Sequence, residues 1–517
     1  MEFNLTGLPS SSPIPRIARE FRWAQGASTG GSPQRPVVLV GFKTSAGSEP
    51  TDTIDMARPI RDDADAQVRC GKRSTLYWMY KKYVAVDPSV RLYVCAPAEQ
   101  SGAAATVVFT LTTTADADSI VFVDWAGERL AVPVATGDLP ATIAAAIVAK
   151  VASDPFVPFV ATQGTGGNTN KVTFAAANLG VIGDQICTAL RLTFSATIAT
   201  TIAKGAVTVS TQTDDWMAAI AALSKVEIYY HAVSATSIIA LTATDNMLGE
   251  YVEMIRQGAL PDNGKDQIVI AATLGSQANG TTVATSSGAN TVYGVLFRAQ
   301  NSDWHAGMVA AHCAAVKRSQ EMIHPCANLS GYTNSDSTPF QLPAPYSIAD
   351  RPTTTEEAAD LNNGVSSIAF TPSGQTYIVR QITTYSWTGT SATKDTRCRE
   401  GHIPSGIHYA WGELARRYAA VKQPFVAADP KKGTKPVANV ETPSAMKRLV
   451  TDVIDDLVGP FINGAPVLDP SPDAVERMKA SVDVTLLADG FGVKVTWEVV
   501  RHNNKAFFQV SQQGPGY

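Results

Sequence analysis

The feature that most constrains this chain is an alternation of strand and helix patterns that is broken off and then resumed. PVVLVGF (Pro36 to Phe42) reads as a strand, Asp62 to Val84 as a helix and RLYVCA (Arg91 to Ala96) as a second strand. From about Glu99 to Ala206 the chain turns rich in Ala, Thr and Val, with short alternating strands at TVVFTLTT, SIVFVDW and RLAVPVAT. An Ala-rich helix over Asp138 to Ala152 follows, and then strands VPFVAT and KVTFAAA on either side of QGTGGNTN. LRLTFSATI closes the stretch. Helix and strand then alternate again: DDWMAAIAALS, VEIYYHAVS, Ser237 to Gln257, QIVIAATLG, TVYGVLFRA and Asp303 to Gln320. A βα alternation split in this way predicts a discontinuous α/β core, residues 36–98 and 207–352, carrying an inserted β-rich domain over residues 99–206.

The flanks differ from this body. Residues 1–35 hold Pro9, Pro13, Pro15, Pro33 and the run GASTGGSPQ, and cannot pack alone. Within them, Ile17, Phe21 and Trp23 stand among charges in RIAREFRWAQ, apolar groups that need a partner surface. A final domain is predicted over residues 353–501. It begins with a Thr-capped helix in TTEEAADLNNG and a hairpin turning at Pro372-Ser373-Gly374. Helices follow at Ile407 to Val421, Ser444 to Leu457 and Asp473 to Met478, with strands SVDVTLLA and GVKVTWEVVR. Residues 502–517 form a tail with Phe507, Phe508 and Val510 at its apolar centre. The fold class expected is a mixed α/β, multidomain chain with extended arms at both ends.

Charged residues make up 17% of the 517, against about 25% in ordinary soluble proteins. A surface that avoids charge favours an assembled subunit; a large neutral β protein is the alternative. The net charge of −4 offers no field to hold nucleic acid. Cys70, Cys95, Cys187, Cys313, Cys326 and Cys398 are scattered singly, which predicts reduced thiols rather than a disulfide framework. No signal peptide and no apolar run of about 18 residues is read, so folding in a cytoplasm is expected, with exit by a route such as lysis.

No constellation in the sequence points to catalysis. The loop Gln163 to Asn170 lacks the Lys-Ser/Thr of a phosphate loop and precedes a strand where a dinucleotide site needs a helix, so it predicts a hairpin turn. His305 and His312 share a helix face, with Cys313, His324 and Cys326 nearby, but zinc wants four ligands at tighter spacing; packing or helix-end roles are predicted instead. Ser405 in IPSGI is not a nucleophile elbow. The pairs Asp62-Asp63, Asp214-Asp215 and Asp455-Asp456 are adjacent and point apart on a helix, so they are poor acid/base partners; Asp214-Asp215 is expected to cap the next helix. Between Lys394 and Val450 eleven Lys or Arg stand against five acids, and an acidic stretch follows. Two readings stay open: patches that meet head to tail in a polymer, or ordinary solvated faces. Aromatics are not interleaved with these basic residues as a nucleic-acid platform requires.

Three stretches together carry a family resemblance: RPVVLVGFKTSAGS with ARPIRDDADA, the segment opening DDWMAAIAAL, and LNNGVSSIAF…YIVRQITTY. The chain resembles the tail-sheath proteins of contractile phage tails, in particular the Mu-like branch. The likeness covers most of the chain, and the segment IVFVDWAGERLAVPVATGD looks like that family's variable domain. It implies a non-enzymatic subunit of a virion tail, assembled in the host cytoplasm as a helical homopolymer of hexameric rings. Its partners would be other copies, the tail tube, and baseplate and tail terminator proteins; no cofactor, metal, nucleic acid or membrane is implied. Contraction would drive the tube through the bacterial envelope for genome ejection, or, in a headless particle, without a genome. The resemblance further implies that Ile17, Phe21 and Trp23 at one end and Phe507, Phe508 and Val510 at the other link subunits. They would do so by adding strands to a neighbour's C-terminal domain, where Val493, Val495, Trp497 and Val499 mark the receiving strand. Another tail or surface-array structural protein is the runner-up among structural readings, and an enzyme with an α/β core and a β-rich accessory domain is the rival from another class. The enzyme would need convergent polar groups with matched roles.

Overall fold

The computed structural model describes residues 35–88, 91–99, 102–210, 216–234, 247–259, 265–285, 293–327, 329, 332–333, 350–370, 376–385, 400–421, 425–430, 440–459, 466–486 and 491–499. In chain order the first elements are β1 (Val37–Val40), α1 (Asp63–Cys70), α2 (Thr75–Val84) and β2 (Leu92–Cys95). The Ala/Thr/Val-rich stretch supplies β3 (Thr106–Leu111), β4 (Ser119–Trp125), β5 (Glu128–Val134), α3 (Pro140–Ser153), β6 (Phe159–Gln163), β7 (Lys171–Ala176), α4 (Gly180–Ala189), β8 (Arg191–Phe194) and β9 (Ile202–Lys204). The alternation resumes with α5 (Met217–Leu223), β10 (Tyr230–Val233), α6 (Met247–Gly258), β11 (Ile268–Thr273), α7 (Gln277–Thr285), β12 (Gly294–Arg298), α8 (Ala306–Ile323) and β13 (Tyr332–Thr333). Then come α9 (Thr354–Asn362), β14 (Val365–Phe370) and β15 (Thr376–Ile378). The last stretch holds α10 (His402–Val421), β16 (Phe425–Val426), β17 (Val440–Glu441), α11 (Pro443–Val458), α12 (Pro472–Ala480), β18 (Asp483–Leu486) and β19 (Phe491–Lys494).

The core is one eight-stranded sheet, ordered β13-β15-β14-β12-β11-β10-β1-β2. Every pairing from β2 across to β14 is parallel, and β15 runs antiparallel to both β14 and β13. Runs such as VVLV and IVIAAT are buried at every position because helices cover both faces, the pattern of a doubly covered parallel sheet. Val37, Leu39, Ile268 and Ile270 face Met79, Tyr83, Val309 and Val316 of α2 and α8. Val38, Val40, Val269 and Ala271 face Ala219, Leu223, Tyr251 and Ile255 of α5 and α6.

The helix expected over Asp62 to Val84 is two helices. The chain breaks at Gly71 (φ +85°), where a Cβ would lie 2.2 Å from Thr44 Oγ1, and Ser74 caps the restart by accepting from the Tyr77 amide. β14 and β15, assigned by sequence to the C-terminal domain, hydrogen-bond into the core sheet through β12, because VSSIAF is as fully apolar or small as the parallel strands beside it. The sequence does not announce α4 and α7: Gly180, Gly183 and Gly280 lower their helix propensity, and they owe their form to packing against the sheets.

The inserted stretch folds into two small sheets, β6-β7-β3-β9 and β5-β4-β8, with β6 and β7 joined as the expected hairpin. It is less self-contained than its composition implied. Its core is continuous with the α2/α8 face, where Tyr77 stacks on Phe156 with ring centroids 5.9 Å apart. Trp78 Nε1 donates to the Phe156 carbonyl at 2.9 Å, and Asn178 accepts from the Thr75 amide at 2.8 Å. Arg191 reaches Asp303 at 2.6 Å. Among the described residues no helix is long and apolar enough to cross a membrane.

Candidate functional site

The C-terminal unit is built on α11. Met446, Val450, Val453, Ile454 and Leu457 fall on one face at helical spacing and are buried together. Thr442 caps the helix and Pro443 opens it. Ala474 and Met478 of α12 and Ile407, Ala410 and Leu414 of α10 complete this core. Gly406 lets α10 approach closely: a Cβ there would meet Cys326 Sγ at 2.5 Å and Val499 Cγ1 at 2.8 Å.

On this base sits a two-stranded hairpin in which β18 and β19 pair antiparallel, Val484 opposite Val493. Among the described residues the two strands have no other ladder partner, so both edges present unpaired backbone groups. A lone two-stranded hairpin is marginal in water, and this one leans on α11 through Val484 and Val493. The strand predicted from Gly492 to Arg501 is shorter than expected: the ladder stops at Lys494. Beyond it Thr496 donates to Ser481 Oγ at 2.8 Å, Glu498 accepts from the Asp469 amide at 2.7 Å, and Val499 bridges Leu468. Val495, Trp497 and Val499 are therefore core residues of the unit, Trp497 packed edge-on to Trp411 at 5.8 Å, and only Val493 lies on the hairpin. Ile17, Phe21, Trp23, Phe507, Phe508 and Val510 lie outside the described residues.

Among the described residues, several charges of this unit pair within it. Arg416 and Arg417 grip Glu413, Arg417 also holds Asp456 at 2.6 Å, and Lys479 holds Asp455 at 2.5 Å. These are mostly exposed pairs, worth little each. Lys394, Arg397, Arg399 and the lysines at 422–435 lie outside the described residues.

The groups tested for chemistry have structural partners. His305 caps α8, its Nδ1 accepting from the Met308 amide at 3.3 Å. His312 packs edge-on against Trp304 at 5.2 Å and donates from Nδ1 to the Lys82 carbonyl at 3.3 Å. His324 Nδ1 accepts from the Cys326 amide at 3.1 Å. Burial, with Lys82 adding repulsion, pushes His305 down to about 3. Burial likewise takes His312 to about 4. His231, in β10, goes to about 4 for the same reason. Its Nε2 lies 2.8 Å from the Ile228 carbonyl, which only accepts, so Nε2 carries the proton and Nδ1 accepts from the Tyr251 hydroxyl at 2.7 Å. Cys70, Cys95, Cys187, Cys313 and Cys326 are buried thiols outside any disulfide, and burial raises each of them. Asp62 caps α1. Asp214 and Asp215 lie outside the described residues, and the N-cap of α5 is Trp216, with no side-chain cap bond. Among the described residues no group of three His, Cys, Asp or Glu is placed to hold a metal.

Sequence reasoning missed a buried ionic cluster formed by Arg35, Lys317 and Glu321. Its visible signal was a Lys and a Glu four apart at the end of a helix whose first half is mostly apolar.

No protein-family model matches the chain, and no curated protein matches it. Among solved structures, it is similar to a chain of the cryo-EM structure of the anti-feeding prophage baseplate, six-fold symmetrised. That match has 12% identity and a TM-score of 0.46, covering 97% of this chain and 99% of that one. It is also similar to a chain of the anti-feeding prophage helical sheath in the contracted state. There the identity is 11% and the TM-score 0.47, over 97% of this chain and 99% of that one.

Proposed function

We propose that the chain is a structural subunit of a contractile tail sheath. The observation that carries this reading is the β18–β19 hairpin, whose edges have no further strand among the described residues. It occurs in a chain whose two ends hold short apolar segments set among polar ones. An extended segment adds to such an edge by main-chain hydrogen bonds, each contributing about 0.5–1.5 kcal/mol net. Repetition along a lattice multiplies weak links into avidity. On this reading Ile17, Phe21 and Trp23 of one copy, and Phe507, Phe508 and Val510 of another, enter beside the hairpin strand that holds Val493. The subunits stack as hexameric rings around an inner tube. The extended form is held by a kinetic barrier until a baseplate signal releases it. Subunits then rotate as rigid bodies while the arms keep them tied. The domain limits 36–98, 207–352 and 99–206, and membership of the Mu-like branch, belong to the same proposal.

Deleting residues 1–25, or 502–517, is expected to abolish tubes in negative-stain electron microscopy while the monomer keeps its circular dichroism and melting temperature. Normal tubes from both truncations would refute the arm arrangement.

A further inference from the structure

The start of the described chain is held in a buried ionic cluster that joins the core to the C-terminal unit. Arg35, two residues before β1, pairs through Nη1 with Glu321 near the end of α8. Its guanidinium lies over the Tyr229 ring, 4.2 Å from the centroid, and its Nη2 donates to the Ser405 carbonyl of α10 at 3.3 Å. Glu321 also accepts from the Tyr230 hydroxyl and pairs with Lys317, one helical turn earlier, at 2.9 Å. Lys317 donates in addition to the Ala327 carbonyl at 3.0 Å. Next to this, the Tyr229 hydroxyl meets His408 Nδ1 of α10 at 3.0 Å, and His408 Nε2 lies 3.7 Å from Asp266.

The two cations on Glu321 are not equivalent. Lys317 and Glu321 are both 1% exposed and sit on one helix, so their pairing is made within α8 and does not require Arg35. Arg35 is 13% exposed and arrives from a different part of the chain. If it leaves, Glu321 keeps Lys317 and the Tyr230 hydroxyl, and no buried carboxylate is stranded. Stranding is what makes breaking most buried pairs severe. Arg35 also makes a bond that runs directly from the segment leading into β1 to the α10 backbone.

We propose that Arg35 is a withdrawable pin: seated, it fastens α10 to the core beside β10 and α8; drawn out, it loosens α10 while the core sheet stays intact. Its link to subunit arms rests on the sheath reading, since Arg35 directly follows residues 1–34. The pin itself does not, and it is tested on the full-length chain before assembly. The variants are Arg35→Gln and Arg35→Lys, and the readout is hydrogen exchange. Arg35→Gln is expected to fold and to raise exchange across α10 by about tenfold or more, with β11 unchanged. Arg35→Lys is expected to fall between it and the natural protein, because an ammonium can reach Glu321 but cannot stack on Tyr229 and fork to Ser405 together. Unchanged exchange in α10, equal acceleration of α10 and β11, or failure of Arg35→Gln to fold would each overturn the proposal.

Discussion

Lowering the pH from 7.5 to 5.0 tests the core through its buried histidines. His231, His305 and His312 stay neutral in the native chain down to about 4, 3 and 4, because burial disfavours the imidazolium. In the unfolded chain each titrates near 6.5. Between those values the unfolded state binds the extra proton, so stability falls as the pH falls; above about 6.5 both states are neutral and the effect vanishes. At pH 5.0 each histidine costs about 2 kcal/mol, and the three together about 6 kcal/mol. That is comparable with the whole stability of many domains, about 5–15 kcal/mol. Glu321, which burial alone would raise, is carried down to about 2 by Arg35 and Lys317. Its contribution is lost only as the pH falls below about 4.5, outside this window. Asp360, raised by burial, moves the absolute profile the other way. The decisive quantity is therefore a difference between two proteins. His305→Asn keeps a side-chain acceptor at the α8 cap and removes the titration. The assay is amide-exchange protection of β11, corrected for intrinsic rates, at both pH values. The natural protein is expected to lose about 2 kcal/mol more protection than His305→Asn. Parallel losses in the two proteins would refute the reasoning.

Three further outcomes follow from the packing. Arg298 and Asp360 form a buried pair at 2.6 Å, so Asp360→Ala, which strands the guanidinium, should cost about 3–5 kcal/mol by denaturant titration. Replacing both by apolar residues should cost much less. Gly406→Val should disturb the C-terminal unit by about 1–3 kcal/mol or more, seen as faster exchange in α10 and α11, because its Cβ collides with Cys326 and Val499. Excising residues 99–206 should yield a chain that aggregates in light scattering unless Tyr77 and Trp78 are made polar, since the insert buries both.

Much of the core was legible because its signals are local. VVLV and IVIAAT are too apolar for a half-exposed strand, and Thr353 with Glu356 forms the capping box that TTEE announces. The split at Gly71 was not, since one glycine inside a helical pattern carries no sign of Thr44 pressing against it. The allegiance of β14 was hidden for a related reason: a strand followed by a hairpin turn looks the same whether its other edge is free or paired to β12. At the candidate site the alternation in GVKVTWEVV suggested a longer strand, but Trp497 and Val499 turn inward to Trp411 and Gly406. Arg35 was invisible because its partners lie 286 and 370 residues away.

The sheet order also sets a timetable for synthesis. Val37 pairs with Tyr230, and the whole insert is translated between them. At about 5–20 residues per second, β1 waits roughly 10–40 s on the ribosome for the neighbour that covers its second edge. The insert, whose two sheets pair only within itself, is complete before that neighbour emerges. Nascent β1 and β2 thus spend that interval with α2 over one face, and the outer residues of α2, Tyr77 and Trp78, are sheltered as the insert packs on them.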